Sequence, residues 1–471
     1  MSAPLSIAVV GHTNAGKTSL LRTLTRRRDF GKVSPMPGTT RHVESVALTI
    51  DGSADVRFAD TPGLEDPIPL LELMQAVALP PQVTPSPAER VRAVLRHPDA
   101  EGRFEQEAKV LRALQASDAA LYVIDARETV LPKHQAELTL LAACGKPVMP
   151  VLNQLRHPHS RPDEWRAALA DHGLHVQAAF DAVAPFHGSE VRLYRDLGTL
   201  LGAQRARLEA VAASLERQQQ ARARAGLRVI AEHLVALAAL RRTLPREVLA
   251  DEAAKARALQ DMQGLVAHQA RQAADAVLQA HDFQPEDAQT DALPVISGRW
   301  EDDLFNPEVL QRAARQLGTG AAIGAAVGVG LDVLFAGLSL GAATALGATL
   351  GGAASQGFGV VGRTLLNKAR GQQDVTLDDD ALVVLAARLL ALQDALTRRG
   401  HAALDRLRVS VEVEWSAESP LRQALAALQP ARGHPEWAAD GHPGERSRHQ
   451  RETLCDALVP FLEGASEMET T

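Results

Sequence analysis

The stretch LSIAVVGHTNAGKTS, residues Leu5 to Ser19, decides the fold of the first part of the chain. Its first six residues are an apolar run typical of a short buried strand, and the leucines between Lys17 and Arg28 recur at helical spacing. Between strand and helix, Gly11 opens a match to the pattern GxxxxGK[ST]. Backbone N–H groups of such a loop and the positive end of the helix both face an anion. The sequence therefore predicts a phosphate-binding loop.

Side chains of this loop have distinct expected tasks. Lys17 is the cation that can reach the terminal phosphates of a nucleotide, and the Thr18 hydroxyl can ligate Mg²⁺. We expect nucleotide contacts from Gly11, Asn14, Ala15, Gly16, Lys17, Thr18 and Ser19.

Two later motifs fit the same chemistry. Thr40 lies in the polar segment PGTTR, residues 37–41, where a loop can place its hydroxyl on the metal. Asp60 and Gly63 lie in DTPG at the end of a predicted strand, where the carboxylate can hold the water shell of Mg²⁺ and the N–H of Gly63 can reach the γ-phosphate. We therefore expect Thr18, Thr40 and Asp60 at the metal, and Lys17, Thr40 and Gly63 in catalysis.

Strand and helix patterns alternate up to about residue 200 and predict an α/β domain with a mostly parallel sheet over residues 1–200. Further strands are predicted at 43–50, 55–59, 119–124 and 147–152, with a helix at 132–144. The proline-rich segment 64–102 breaks this alternation and is predicted to be a partly helical insertion.

On these motifs, the segment from Leu5 to about Leu200 resembles the Era and TrmE group of bacterial small GTPases, whose loops read close to GxxNxGKS, GTTR and DTPGL. The resemblance implies GTP and GDP as ligands, with Mg²⁺ as the cofactor. It also implies Thr40 as the switch I threonine and Asp60 with Gly63 as the switch II pair. The whole layout is similar to a family of proteobacterial GTPases whose C-terminal domain has no assigned function.

The sequence departs from that group's pattern at the catalytic position. Leu64 follows Gly63 where Ras-like proteins carry a glutamine that positions water. Asn14 matches the asparagine that helps to hold K⁺ in potassium-activated members, which implies K⁺ as a second cofactor. Glu65, Asp66 and Glu72 are nearby candidates for orienting water, with solvated loop carboxylates as the alternative interpretation.

A second departure concerns the base. The strand ending at Leu152 continues as Asn153-Gln154-Leu155-Arg156, where the group has NKxD. The aspartate that would accept hydrogen bonds from guanine N1 and N2 is replaced by Arg156. Asn153 remains a candidate base contact, and guanine preference rests on the resemblance.

Composition and charge argue against several classes of protein. The chain has 471 residues, a formal net charge of -7 and a pI of about 6.2. This acidic balance disfavours a nucleic-acid partner. Cys144 and Cys455 are too few for a disulfide framework and lack zinc-ligand spacing, and residues 1–4 do not start a signal peptide. We expect a cytoplasmic protein.

The second half is predicted to be mainly helical. Residues 201–316 favour long helices, which we interpret as a solvated bundle or a coiled-coil arm through which the chain could form a homo-oligomer. Residues 363–471 are predicted to hold a further amphipathic helix from Thr376 to about Arg408, a strand at 409–415 and a polar linker at 433–451. Histidines in 157–159 and 434–442 are interpreted as loop residues.

Residues 317–362 form a separate apolar segment that holds one charged side chain, Asp332, and 13 of the chain's 34 glycines. Glycines spaced by four allow close packing of helices. Two legs, 317–336 and 340–361, joined at residues 337–339, are each long enough to span a bilayer, and the basic flanks then lie on one side. Three alternatives stay open: a hairpin inserted into inner-membrane lipid from the cytoplasmic side, reversible membrane contact, and a buried soluble core.

The sequence as a whole predicts a GTP-binding and GTP-hydrolysing switch coupled to a helical effector half. One alternative is a GTPase that acts on the ribosome or RNA. A second is a membrane scaffold that binds nucleotide without turnover.

Overall fold

The structure is a computed structural model that describes residues 3–25, 43–50, 53–77, 86–182, 185–186, 188–281, 338–340, 372–397 and 420–468. Thr40, the predicted legs at 317–336 and 340–361 apart from Leu340, and the predicted strand at 409–415 lie outside these residues. The described residues divide into two compact units between Gln219 and Gln220.

The first unit is built on a six-stranded sheet with the order β2-β3-β1-β4-β5-β6. Only β2 runs antiparallel to its neighbour, which confirms the predicted, mostly parallel sheet. The strands are β1 Leu5–Val10, β2 Glu44–Ile50, β3 Ser53–Asp60, β4 Ala119–Asp125, β5 Val148–Asn153 and β6 Ala178–Ala179.

Helices cover both faces of this sheet, because β1, β4 and β5 are apolar on both sides and need two layers to bury them. Helices α1, α7 and the start of α8 pack on one face, and α2 to α6 pack on the other. The helices are α1 Lys17–Thr25, α2 Pro67–Ala76, α3 Pro87–Val94, α4 Glu105–Ala116, α5 Pro132–Ala143, α6 Pro162–Asp171, α7 Ser189–Leu200 and α8 Arg205–Ala239. The predicted insertion at 64–102 is helical at α2 and α3, with a 3₁₀ turn at Pro98–Ala100.

The second unit combines helices with a three-stranded antiparallel sheet of order β7-β9-β8. Its elements after α8 are β7 Arg241–Leu244, α9 Arg246–Ala250, α10 Glu252–Ala280, β8 Leu338–Leu340, β9 Gln373–Leu377, α11 Asp379–Thr397, α12 Pro420–Leu428 and α13 Glu445–Met468.

Two helices predicted for this unit are present, but their predicted exposure to solvent is wrong. The leucines of α8 from Leu227 to Leu240 are buried in a continuous apolar core, so this stretch is not a solvated arm. Helix α11 starts at Asp379, not Thr376, and its residues from Ala381 to Leu392 are buried on nearly all sides. Periodicity alone cannot distinguish these cases, because an amphipathic pattern shows only one apolar face and not what covers the other.

The predicted hairpin turn is a strand. Leu338 to Leu340 pair with β9, and Leu338 lies opposite Leu377, a residue of the buried core. In a spanning hairpin this turn would lie across the bilayer from its flanks, so its pairing with β9 counts against that arrangement. No helix among the described residues is long and apolar enough to cross a membrane.

The predicted polar linker at 433–451 is also wrong, because it contains a 3₁₀ turn at Pro435–Trp437, which ends at a buried tryptophan, and the first residues of α13. Trp437 is 2% exposed, and its Nε1 donates to the hydroxyl of Ser447 at 2.7 Å. The His434 ring stacks on Trp437 with centroids 4.1 Å apart. Cys144 and Cys455 are buried free thiols, and burial raises their pKa values to about 12 and about 11.

Candidate nucleotide site

The phosphate loop follows β1, and its conformation depends on one glycine. Gly16 has φ +97°, and a Cβ there would lie 2.4 Å from Nδ2 of Asn153. That Nδ2 donates to the carbonyl oxygen of Ala15 at 3.0 Å. Asn14, exposed at the tip, has φ 64°, a left-handed conformation that asparagine tolerates. The loop is thus held to β5 from one side.

Lys17 is turned back onto the loop. Its Nζ donates to the carbonyl oxygens of Gly11 at 3.0 Å and His12 at 2.9 Å, and the residue is 7% exposed. Burial lowers the pKa of Lys17 to about 8, and the carboxylates of Asp60 and Glu137 partly oppose this shift. An amine in this position is pre-placed for an anion bound in the loop.

Thr18 and Asp60 fit a divalent cation. The Thr18 hydroxyl donates to Oδ2 of Asp60 at 2.6 Å, and Asp60 is 1% exposed at the end of β3. Its Oδ1 is buried without a hydrogen-bond partner among the residues that the structure describes, and burial raises the pKa of this carboxyl group. A hydroxyl with an under-used carboxylate beside a phosphate loop is the donor set that Mg²⁺ prefers. When bound, Mg²⁺ would supply positive charge to the phosphates.

Switch II begins in contact with the phosphate loop. The N–H of Leu64 donates to the carbonyl oxygen of Gly11 at 3.2 Å, and a Cβ on Gly63 would lie 2.6 Å from Cα of Thr13. Only glycine fits this approach. The Leu64 side chain is fully buried in the core under α2, so it cannot orient water.

The three acidic candidates for orienting water are exposed, and the structure gives none of them a catalytic contact. Instead, the main-chain N–H groups of Glu65 and Asp66 donate to Oε1 of Glu107 at 3.1 and 3.0 Å. Glu107, in the first turn of α4, is buried and fixes switch II. Glu107 was not predicted, because an acidic side chain in the first turn of a helix is the only sign of it in the sequence.

A polar network behind the loop was missed as well. Nδ1 of His12 lies 2.8 Å from Oε1 of Glu137, whose Oε2 accepts from the Tyr122 hydroxyl at 2.7 Å. Nε2 of His12 lies 2.9 Å from Nζ of Lys133. His12 and Glu137 are 125 positions apart in the sequence, so no local sequence pattern predicts their contact.

Asn153 connects the loops around the base side of the site. Its Oδ1 accepts from the N–H groups of Gln154 and Ala182, both at 2.9 Å, while Nδ2 binds Ala15. The structure thus places the predicted base contact as a tie between the phosphate loop and the segment after β6. Its contact with a base stays a prediction.

The structure brings most predicted site residues together. The phosphate loop, Asp60, Gly63 and Asn153 meet at the carboxyl ends of β1, β3 and β5. This edge is where ligands bind in parallel α/β sheets. Thr40 lies outside the described residues.

Two family models match the chain. The one described as "50S ribosome-binding GTPase" matches residues 6–154, and the one described as "Domain of unknown function (DUF3482)" matches residues 166–460. Translation initiation factor IF-2 of Flavobacterium johnsoniae is 25% identical over 175 residues, which are 37% of this chain and 14% of that protein. The chain therefore matches only a small part of the length of such relatives.

Solved structures with a similar N-terminal part include GTPases. A variant of Era from Aquifex aeolicus, bound to GDP.AlF4-, is 23% identical and covers 38% of this chain and 50% of that one, with a TM-score of 0.26. A probable GTP-binding protein, engB, is 15% identical and covers 42% and 99%, with a TM-score of 0.27. The family match and the sheet give a small GTPase domain at the N-terminus, and the narrower Era and TrmE type is not confirmed.

Proposed function

The chain belongs to the family described as "Domain of unknown function (DUF3482)", and we propose that it is a GTP-dependent switch whose GTPase domain binds GTP and hydrolyses it slowly to GDP. The helical second unit acts as its effector half. The observation that supports this best is the meeting of Lys17, the Thr18–Asp60 pair and Gly63 at one sheet edge.

Each of these residues has a task in the proposed reaction, attack of water on the γ-phosphorus. Lys17 leaves the carbonyl oxygens of its own loop and donates to the phosphates, where it offsets the charge that develops. Thr18 and Asp60 would hold Mg²⁺. Gly63 lies against Thr13 of the loop, and its N–H would report whether a γ-phosphate is present.

A direct test measures binding of fluorescent GTP and single-turnover hydrolysis by the full chain. Lys17→Ala should abolish both. Lys109→Ala is the matched control, because Lys109 lies on α4 and forms an i,i+4 ion pair with Glu105. Unchanged affinity and turnover in Lys17→Ala would rule out the site.

Potassium is proposed as the second cation. Asn14 stands exposed at the tip of the loop, and the buried side chain of Leu64 leaves no water-orienting group at its position. Hydrolysis should be faster in K⁺ than in Na⁺ at equal ionic strength, and Asn14→Ala should remove the difference. Equal rates in the two salts would discard this cation and leave GTP binding intact.

Ribosome association is the second candidate function. The description of the N-terminal family, "50S ribosome-binding GTPase", favours it over other targets. Co-sedimentation of the chain with 50S subunits, with a non-hydrolysable GTP analogue and not with GDP, would support it. Equal recovery without subunits would contradict it.

We also propose a cytoplasmic location. The predicted lipid contact and homo-oligomer have no support among the described residues, and the paired strand β8 counts against a spanning hairpin.

A further inference from the structure

The residue at the expected guanine-binding aspartate position cannot do its task. Guanine offers two donors on one edge, N1–H and the 2-amino group, and needs an acceptor there. Arg156 has only donors. Its guanidinium carbon lies 4.8 Å from the centroid of the Phe186 ring, a cation–π contact.

A carboxylate reaches the same place from the neighbouring loop. Asp181 lies two residues after β6, and its Oδ2 is 3.5 Å from the backbone nitrogen of Arg156. The residue is 3% exposed. The two loops that meet here, 153–156 and 180–182, are also the ones that Asn153 joins to the phosphate loop.

The backbone on both sides of Asp181 is fixed. The N–H of Phe180 donates to the carbonyl oxygen of Leu152 at 3.0 Å, and that of Ala182 donates to Oδ1 of Asn153 at 2.9 Å. The Thr23 hydroxyl donates to the carbonyl oxygen of Ala182 at 2.8 Å. An acceptor whose backbone is held by three hydrogen bonds, from β5 and α1, loses little entropy when it binds, which is what a specificity contact requires.

The charge of Asp181 acts on one nearby cationic side chain, Arg127. Arg127 forms a two-point ion pair with Asp125 at the end of β4. The pKa of Arg127 is raised mainly by its hydrogen bond to Asp125, and the charge of Asp181 adds to the shift. Asp181 is therefore close enough to Arg127 to interact with its charge.

We propose that Asp181 is the specificity-determining residue for guanine, which accepts hydrogen bonds from N1–H and the 2-amino group in place of the absent aspartate at position 156. This inference rests on the proposed GTP binding. The acceptor has moved from the loop after β5 to the loop after β6, where Oδ2 of Asp181 lies beside the backbone nitrogen of Arg156.

Asp181→Asn tests the inference through a change of preference. The amide keeps one acceptor and gains a donor, which mismatches the 2-amino group of guanine and matches the 2-oxo group of xanthine. Affinity for GTP should fall roughly 10- to 100-fold and affinity for XTP should rise, because contacts to a charged acceptor are strong. A misfolded variant cannot gain affinity for XTP. Asp163→Asn is the control, since Asp163 is a solvent-exposed residue of α6.

The wild-type chain provides a measurement that needs no substitution. ITP lacks the 2-amino group, so it should bind about 10-fold more weakly than GTP. Equal affinities for GTP and ITP, or an unchanged ratio of GTP to XTP in Asp181→Asn, would overturn the role of Asp181 while tight GTP binding keeps the proposed function. A wild-type chain that binds no guanine nucleotide would overturn both.

Discussion

Nδ1 of His12 and Oε1 of Glu137 lie 2.8 Å apart, so a residue of the phosphate loop contacts a carboxylate of α5. The side chain of Glu137 is fully buried. Glu137 also acts on Lys17, whose pKa its charge raises against the larger effect of burial. The network of His12 and Glu137 therefore influences the pKa of Lys17 in the phosphate loop.

Nucleotide affinity should fall as the pH rises above about 8. In the free protein Lys17 has a pKa of about 8, and bound phosphates stabilise its charged form and raise that pKa. Binding above pH 8 must then take up a proton, so affinity falls by up to about tenfold per pH unit. Titration of fluorescent GTP between pH 7 and 9.5 measures this, and a constant affinity over that range would contradict it.

Glu137→Gln should move this decline to lower pH. The substitution removes a charge that raises the Lys17 pKa, so the amine loses its proton earlier. Glu128→Gln is the matched control, because Glu128 is partly exposed and pairs with Lys133. Identical pH midpoints in wild type and Glu137→Gln would show that the network is only structural.

Gly63→Ala should uncouple switch II from the phosphate loop. Its Cβ would meet backbone atoms of Thr13 at 2.6 and 2.7 Å, and backbone cannot move aside cheaply. We expect turnover to fall at least about tenfold, at a cost of about 1–3 kcal/mol from overpacking. Gly102→Ala, whose Cβ would have one contact at 3.9 Å, should leave hydrolysis unchanged. Equal turnover in the two variants would refute the close approach.

Trp437→Ala should destabilise the second unit by about 3–5 kcal/mol, because it leaves a cavity in a core. Trp437→Phe keeps the stacking position beside His434 and loses the bond from Nε1 to Ser447, which we expect to cost about 1 kcal/mol. Urea unfolding of both variants separates these effects. A negligible cost in Trp437→Ala would return residues 433–451 to the status of a linker.

The phosphate site could be predicted because its signal is local. The glycines, the lysine and the hydroxyl all lie within residues 11–19, and the strand before them is a mostly apolar run. The motif at Asp60 to Gly63 was identified the same way, and the structure places both at one sheet edge.

The second unit was predicted less well, because helix propensity identifies a helix but not the elements that pack against it. Helix α8 was expected and is present, but the core that covers its leucines is built from α10, α11, α12 and α13. Strands β7 and β8 are short, and each forms only by pairing with β9.

The sequence by itself determined the α/β class of the first unit, the phosphate loop and the lost aspartate at position 156, since each depends on residue types a few positions apart. Only the tertiary structure decided what lies beside them. Glu137 reaches His12 across 125 positions because α5 packs on the face of the sheet that includes β1 and β4. Asp181 reaches the backbone of Arg156 across 25 positions, because parallel strands bring their carboxyl ends to one edge. Contacts of that kind depend on the fold and leave no periodic pattern in the sequence.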